Sequence, residues 1–222
     1  MTPFVPIAIA AIVELWLATQ LPLVVAWLPG WAGLATGWVA IAYAFNAPHL
    51  LGKLGAPRVA AVLLAPVQLT SKGSARLARR FGVTERSEIL PGLWVGAWPR
   101  RGASPLAHVD VTAELPREVE PALWRCVPML DGAAPPLAAW QEAVTQAVRW
   151  RREGHEVLVH CAYGQGRSVA VILGVLVHEG HFPDVESAYA YVRRVRPKAR
   201  LTAAQRALVE RGVALSRTNG SG

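Results

Sequence analysis

The chain has 222 residues, enough for about one ordinary domain with an appendage, and at 53% hydrophobic and 17% charged it is too apolar to be disordered. Its mean hydropathy of +0.29 is high for a wholly soluble protein, and its formal net charge is +8. Two cysteines exclude a disulfide scaffold and a zinc-ribbon framework.

The charge is segregated along the chain. Residues 1–50 contain no Lys or Arg and one acid, Glu14, so all 23 basic residues lie from Lys53 onward. Pro3 to Leu28 is a long apolar run, and a bilayer core takes roughly 20 apolar residues to span. The turn signal Leu28-Pro29-Gly30 then leads to a second run, Trp31 to Phe45, so residues 1–50 read as a transmembrane helical hairpin. Trp27, Trp31 and Trp38 suit an interface at the turn, and Gly33 with Gly37 allows close approach of the two helices. The basic start and short apolar core of a cleaved signal peptide are not seen here. Glu14 falls mid-helix, where a charged carboxylate costs about 2.5–3.5 kcal/mol; a protonated carboxyl bonded to Thr36 or to a carbonyl of the second helix is expected.

Residues 51–87 read as an interfacial segment. Arg58 to Ser71 is apolar, too short to span and interrupted by Pro66. Lys72, Arg76, Arg79 and Arg80 follow at helical spacing, a basic stripe suited to anionic headgroups. With Lys53 and Arg58 these basic flanks are expected to stay cytoplasmic, which puts both termini of a two-span hairpin there.

From Leu90 the pattern becomes that of strands and helices. Leu93–Trp98, Ala107–Ala113, Trp124–Pro128 and Glu156–His160 read as strands. Pro136–Arg152, Ser168–His178 and a segment capped by Asp184 and running to Arg194 read as helices. Thr202 with Gln205 forms a capping box for a last helix. The expectation is an α/β domain over 88–216 with a central, mostly parallel sheet flanked by helices, and a disordered tail over 217–222.

One stretch carries chemistry: His160-Cys161-Ala162-Tyr163-Gly164-Gln165-Gly166-Arg167-Ser168, behind a strand and at the start of a helix. Backbone N–H groups of residues 162–167 converge there on one anion, aided by the helix N-terminus. Gly164 and Gly166 permit the backbone angles of a tight cradle, and Arg167 supplies a fork for two phosphate oxygens. A Cys161 thiol in such positive surroundings favours the nucleophilic thiolate, and Ser168 can donate a hydrogen bond to the sulfur.

The spacing Cys-x5-Arg-Ser preceded by His resembles the signature of the cysteine-dependent protein tyrosine phosphatase superfamily, in its compact dual-specificity branch. Leu93-Trp94-Val95-Gly96, Val109-Asp110-Val111-Thr112 and Arg196-Pro197 with Leu201-Thr202 and Gln205 extend the likeness over roughly residues 88–215. The resemblance implies a dual-specificity-phosphatase-like fold and hydrolysis of phosphate monoesters through a cysteinyl-phosphate, with no cofactor and no metal. It implies a general acid at Asp131 in Pro128-Met129-Leu130-Asp131-Gly132, with Asp110 as a rival more suited to a structural role. His160 would orient the cradle. Cys126 is either a core residue or a reversible disulfide partner of Cys161. A membrane segment ahead of this domain also resembles bacterial proteins of that layout, which implies an inner (plasma) membrane and a cytoplasmic catalytic domain.

Ala162, Tyr163, Gly164, Gln165 and Gly166 include no Lys, unlike the loops of phosphoinositide phosphatases. The expected substrates are phosphotyrosine, phosphoserine or phosphothreonine in proteins. A phospholipid phosphate such as phosphatidylglycerophosphate is the alternative, and a phosphate-binding module without turnover a third. Membrane lipids are expected partners of residues 3–46 and of the basic segment 53–80, and no nucleic-acid pattern is present.

Overall fold

The computed structural model describes residues 3–53, 62–99 and 101–219. It divides into two compact units, Met1–Arg76 with Ala113–Pro116, and Leu77–Thr112 with Arg117–Gly222.

In the first unit two apolar helices, α1 (Phe4–Gln20) and α2 (Leu23–Ala44), pack as a pair. The turn between them lies at Leu21-Pro22 and not at the expected Leu28-Pro29-Gly30. Pro22 drives Leu21 into an extended conformation (φ −105°, ψ 153°) and so ends α1. Pro29 lies inside α2, where it removes an internal hydrogen bond without stopping the helix. Trp27 and Trp31 therefore belong to α2, their rings stacked 6.3 Å apart. The glycine face does receive α1. A Cβ on Gly33 would lie 2.7 Å from Leu15 Cγ, and one on Gly37 would lie 3.9 Å from Ala11 Cβ. Oε2 of Glu14 is buried and has no hydrogen-bond partner, so the expected bond from this oxygen to Thr36 or a helix carbonyl is not formed.

Among the described residues one window, Val25–Ala44, is long and apolar enough to cross a bilayer, while α1 is apolar but has 17 residues. Of the third apolar stretch, 58–61 lie outside the described residues. Its remainder joins the basic segment in one amphipathic helix, α3 (Ala65–Arg80), with Pro66 in the first turn, where a missing N–H costs nothing, rather than as an interruption.

The second unit is a five-stranded mixed sheet, β1 (Arg86–Leu90), β2 (Leu93–Gly96), β3 (Gly102–Thr112), β4 (Val119–Met129) and β5 (Val157–His160), in the order β1-β2-β5-β3-β4. β1 is antiparallel to β2, and all other pairs are parallel. The sequence reading missed β1. The helices are α4 (Leu137–Arg152), α5 (Arg167–His178), α6 (Val185–Val195) and α7 (Ala203–Asn219). Asp184 caps α6 by accepting from Ser187 N at 2.8 Å. Thr202 and Gln205 form the reciprocal capping box of α7 (3.1 and 3.2 Å). α7 continues through 217–219, part of the expected disordered tail, while 220–222 lie outside the described residues.

β5 is the middle strand and is buried at every position. Alternation sends Val157 and Val159 to one face and Leu158 and His160 to the other. Val157 and Val159 share the core with Val95, Val109 and the inner faces of α4 and α5. The end of β5 is thereby fixed on both sides, and the signature loop begins there.

Candidate active site

Residues 161–166 form a tight loop between β5 and α5. It is tied down at its start. Cys161 N donates to Gly96 O (3.2 Å), and Trp98 N donates to Ala162 O (3.2 Å). Trp98 is itself held by Arg79, whose Nη1 donates to the Trp98 carbonyl at 3.0 Å while the guanidinium lies 5.6 Å from the ring centroid. Gly164 adopts φ +67°, and a Cβ there would lie 2.5 Å from the Gly96 carbonyl carbon. Both the conformation and the space thus require glycine.

Cys161 is buried, at 2% exposure. Its Sγ accepts from Gly164 N at 3.2 Å and lies 3.3 Å from Ser168 Oγ. The sulfur, Tyr163, Gln165, Asp131 and Arg200 border one cavity of about 320 Å³. Gly166 caps α5, whose first residue is Arg167. The Arg167 side chain is fully buried; Nη1 donates to Met129 O at 2.9 Å, and Nε lies 3.2 Å from Asp131 Oδ1. The Asp131 side chain is 51% exposed at the rim, on the turn after β4. The structure therefore brings together Cys161, Arg167, Ser168, Asp131 and the 162–166 loop, 30 or more residues of sequence separating Asp131 from the rest.

His160 is on the far face of the sheet from α5. Its ring meets that of His108 edge-on at 5.3 Å, and its Nδ1 lies 3.9 Å from Asp110 Oδ1. Asp110 is buried and accepts from Thr112 N (3.0 Å) and Thr112 Oγ1 (2.8 Å), closing the end of β3. It does not border the cavity, as suits a structural residue. Cys126 and Cys161 are both free thiols. Cys126 pairs with Asp110 across β4–β3, and Asp110 pairs with His160 across β3–β5. Two strand spacings, about 9–10 Å, separate Cys126 from the start of the signature loop. That exceeds the usual Cα separation of a disulfide, about 4.4–6.8 Å, so this fold does not favour the disulfide alternative.

Two site residues were visible in the sequence only as parts of a motif. Gln205 is buried, and its Nε2 donates to Ala133 O at 3.2 Å, joining the α7 cap to the Asp131 turn. Arg196 is 4% exposed and bonds to the carbonyls of Tyr163 and Gly164. Its signal was the Arg196-Pro197 pair of the family resemblance, which does not by itself say what the side chain touches.

A strand-loop-helix anion cradle with a cysteine at its mouth and an arginine at the helix start defines a cysteine-dependent phosphatase type of site. The family model for the dual specificity phosphatase catalytic domain matches residues 95–211, just over half of the chain, and the chain belongs to that family. Phosphatidylglycerophosphate phosphatase PTPMT1 of Arabidopsis thaliana is 43% identical over 75 residues, which are 31% of this chain and 22% of that protein. Human dual specificity protein phosphatase 12 is 32% identical over 132 residues, 51% of this chain and 37% of that one. The chain thus spans well under half the length of either relative. Among solved structures, human DUSP28 superposes with a TM-score of 0.54 at 21% identity, covering 60% of this chain and 99% of that one. PTPMT1 in complex with PI(5)P gives 0.50 at 17% identity, covering 62% and 100%. Both likenesses concern the fold.

Proposed function

We propose that the chain is a membrane-anchored phosphatase that hydrolyses phosphate monoesters, with phosphotyrosine, phosphoserine or phosphothreonine of proteins as substrates. The observation that carries the reading is that Cys161 and Asp131 border one cavity, with the Gly164 amide and Ser168 Oγ on the Cys161 sulfur and the buried Arg167 against Asp131. In the first step the Cys161 thiolate attacks phosphorus and the bond to the ester oxygen breaks. Asp131 gives its proton to the departing oxygen. Arg167 exchanges Asp131 for two phosphate oxygens, and the released carboxylate takes up a proton from water before it faces the leaving group. In the second step water attacks the cysteinyl-phosphate, Asp131 takes the water proton, and the P–S bond breaks to return the thiolate, which Ser168 stabilises by donating to sulfur. His160 supports the loop from the sheet. No metal or cofactor enters these steps.

The lipid reading has its own support. Arg200 borders the cavity and is exposed, a second cation positioned for a further negative group such as the phosphodiester of phosphatidylglycerophosphate. The apolar helix pair and the basic α3 suit a membrane surface, and the 43% identical relative is named for that lipid. On this proposal the hairpin lies in a bacterial inner membrane and the catalytic unit is cytoplasmic.

The full chain in anionic vesicles, kept reduced, tests both. Phosphate release is measured from a phosphotyrosine peptide and from phosphatidylglycerophosphate, each against Cys161→Ser. Preference for the peptide supports the protein substrate, and preference for the lipid replaces it with the second reading. No Cys161-dependent release from either overturns both. Asp131→Asn is expected to lower kcat by about 10²–10⁴, with the smaller loss for aryl phosphates, whose leaving group needs the proton least.

A further inference from the structure

We propose that Arg196 is a positioning residue of the catalytic loop: it holds two loop carbonyls away from the cavity, so that their peptides present N–H groups to sulfur and phosphate, and it places a cation behind Cys161. The inference rests on the phosphatase reading for its meaning, although its test does not.

The geometry follows from peptide planarity. The carbonyl and the following N–H of a trans peptide point in opposite directions. The Tyr163 carbonyl accepts from Arg196 Nη2 at 3.2 Å, and the N–H of the same peptide, that of Gly164, donates to Cys161 Sγ at 3.2 Å. One peptide unit is thus pinned at both ends, by the guanidinium and by the sulfur. The next carbonyl, Gly164 O, accepts from Arg196 Nε at 2.6 Å, which aims the N–H of Gln165 the opposite way; Gln165 borders the cavity. A neutral amide has two N–H donors that could serve both carbonyls, but it would bring no charge behind Cys161. Gly164 has to be glycine partly for this reason, since a Cβ would lie 2.5 Å from Arg196 Nη2.

Arg196 is itself held from behind. Its Nη1 donates to Ser87 Oγ (3.0 Å) and its Nη2 to Thr84 O (2.9 Å), on β1 and the segment leading into it. Lys198 Nζ reaches Gly82 O at 3.1 Å on the same segment. Among the described residues every acceptor of Arg196 is a neutral oxygen, and no carboxylate pairs with it. Its charge is therefore left over for whatever negative group the loop holds. Burial lowers the guanidinium's proton affinity, and the Cys161 thiolate acts in the opposite direction. The other ionisable groups around Cys161 are Arg167, Arg200, Asp131, Tyr163 and the neighbouring His160. Arg167 already faces Asp131, whereas Arg196, behind the loop, has no acidic partner among the described residues.

The experiment compares full-length protein with Arg196→Met and Arg196→Lys. The rate of Cys161 alkylation by iodoacetamide is followed from pH 4 to 9 by mass spectrometry of the Cys161 peptide, alongside thermal melting and inhibition by inorganic phosphate. In Arg196→Met the pH midpoint of alkylation moves up, and kcat/KM at neutral pH falls at least tenfold, recovering in part as pH rises. Arg196→Lys keeps the midpoint nearer that of the parent, because the charge remains, but binds inorganic phosphate more weakly, because the three donors of an ammonium cannot reproduce the planar fork that serves four acceptors, two of them loop carbonyls. A folded Arg196→Met with an unchanged midpoint overturns the proposal. If Arg196→Met does not fold, Arg196→Lys decides: unchanged alkylation together with unchanged phosphate inhibition overturns it. Should the parent release phosphate from no substrate while the alkylation shifts as stated, the phosphatase reading fails and the positioning role stands.

Discussion

His108, packed against His160, links the stability of the fold to pH. It is buried on β3, with Nε2 2.9 Å from Ser104 Oγ. Burial first, and the adjacent His160 second, push its imidazole down to about 3. The unfolded chain takes up a proton near pH 6.5, and the folded one refuses it until about pH 3. In that window the unfolded state binds more protons, so stability is complete above about pH 6.5 and falls as pH drops, by up to about 1.4 kcal/mol per pH unit. Urea unfolding midpoints measured at pH 7, 5.5 and 4 should decline, and His108→Gln should flatten the decline. A slope unchanged in that variant assigns the acid sensitivity to other groups. The grouping of Cys161, its loop and Arg167 was legible in sequence because they lie within nine consecutive residues, and the place of Asp131 beside them through its position after a strand. The role of Arg196 was not, because its acceptors at 84, 87, 163 and 164 meet only after folding.

Helices α4, α5 and α7 meet around one indole. Trp140 Nε1 donates to Ala170 O at 2.9 Å, and the ring lies against Gly174 of α5 and Gly212 of α7. A Cβ on Gly174 would lie 2.5 Å from Trp140 Cζ2 and 2.6 Å from Val144 Cγ2, and one on Gly212 would also meet the ring. Gly174→Ala should therefore destabilise by about 1–3 kcal/mol despite the better helix propensity of alanine. The pair Gly174→Ala and Gly212→Ala should deviate from additivity because both push on the same ring. Thermal melts of the two single variants and the double variant check this. Element types were mostly readable, and the misses have physical causes. β1 reads Arg-Ser-Glu-Ile-Leu, a charged edge strand with one fully buried residue, which in sequence looks like loop. The hairpin turn was misplaced because two prolines offered one: Leu21 before Pro22 is extended, whereas Pro29 is accommodated inside α2.

Across the whole molecule the division of charge predicts two separable membrane interactions. The apolar faces of α1 and α2 bind by hydrophobic burial, which added salt strengthens or leaves alone. The basic face of α3 binds anionic lipid electrostatically, and at 1 M salt the screening length falls to about 3 Å. The full chain should therefore stay with anionic vesicles through a 1 M salt wash. Release by salt shows that α3 alone held it and removes the hairpin from the anchoring role. Glu14→Leu should keep or increase vesicle association, because Oε2 has no internal partner to lose. Loss of association in that variant gives the carboxyl a function in the membrane.

The sheet order has a consequence for how the protein is made. The strand behind the nucleophile is held by β2 and β3, which precede it by some sixty and fifty residues, and the loop is braced by Arg196 and Gln205 beyond α5. The apolar helices, by contrast, are complete by residue 44. At about 5–20 residues per second, a ribosome needs several seconds between releasing the apolar helix pair and releasing the last brace of the signature loop. If the helix pair is the proposed anchor, it is available for insertion before the chain has a site with which to attack any phosphate.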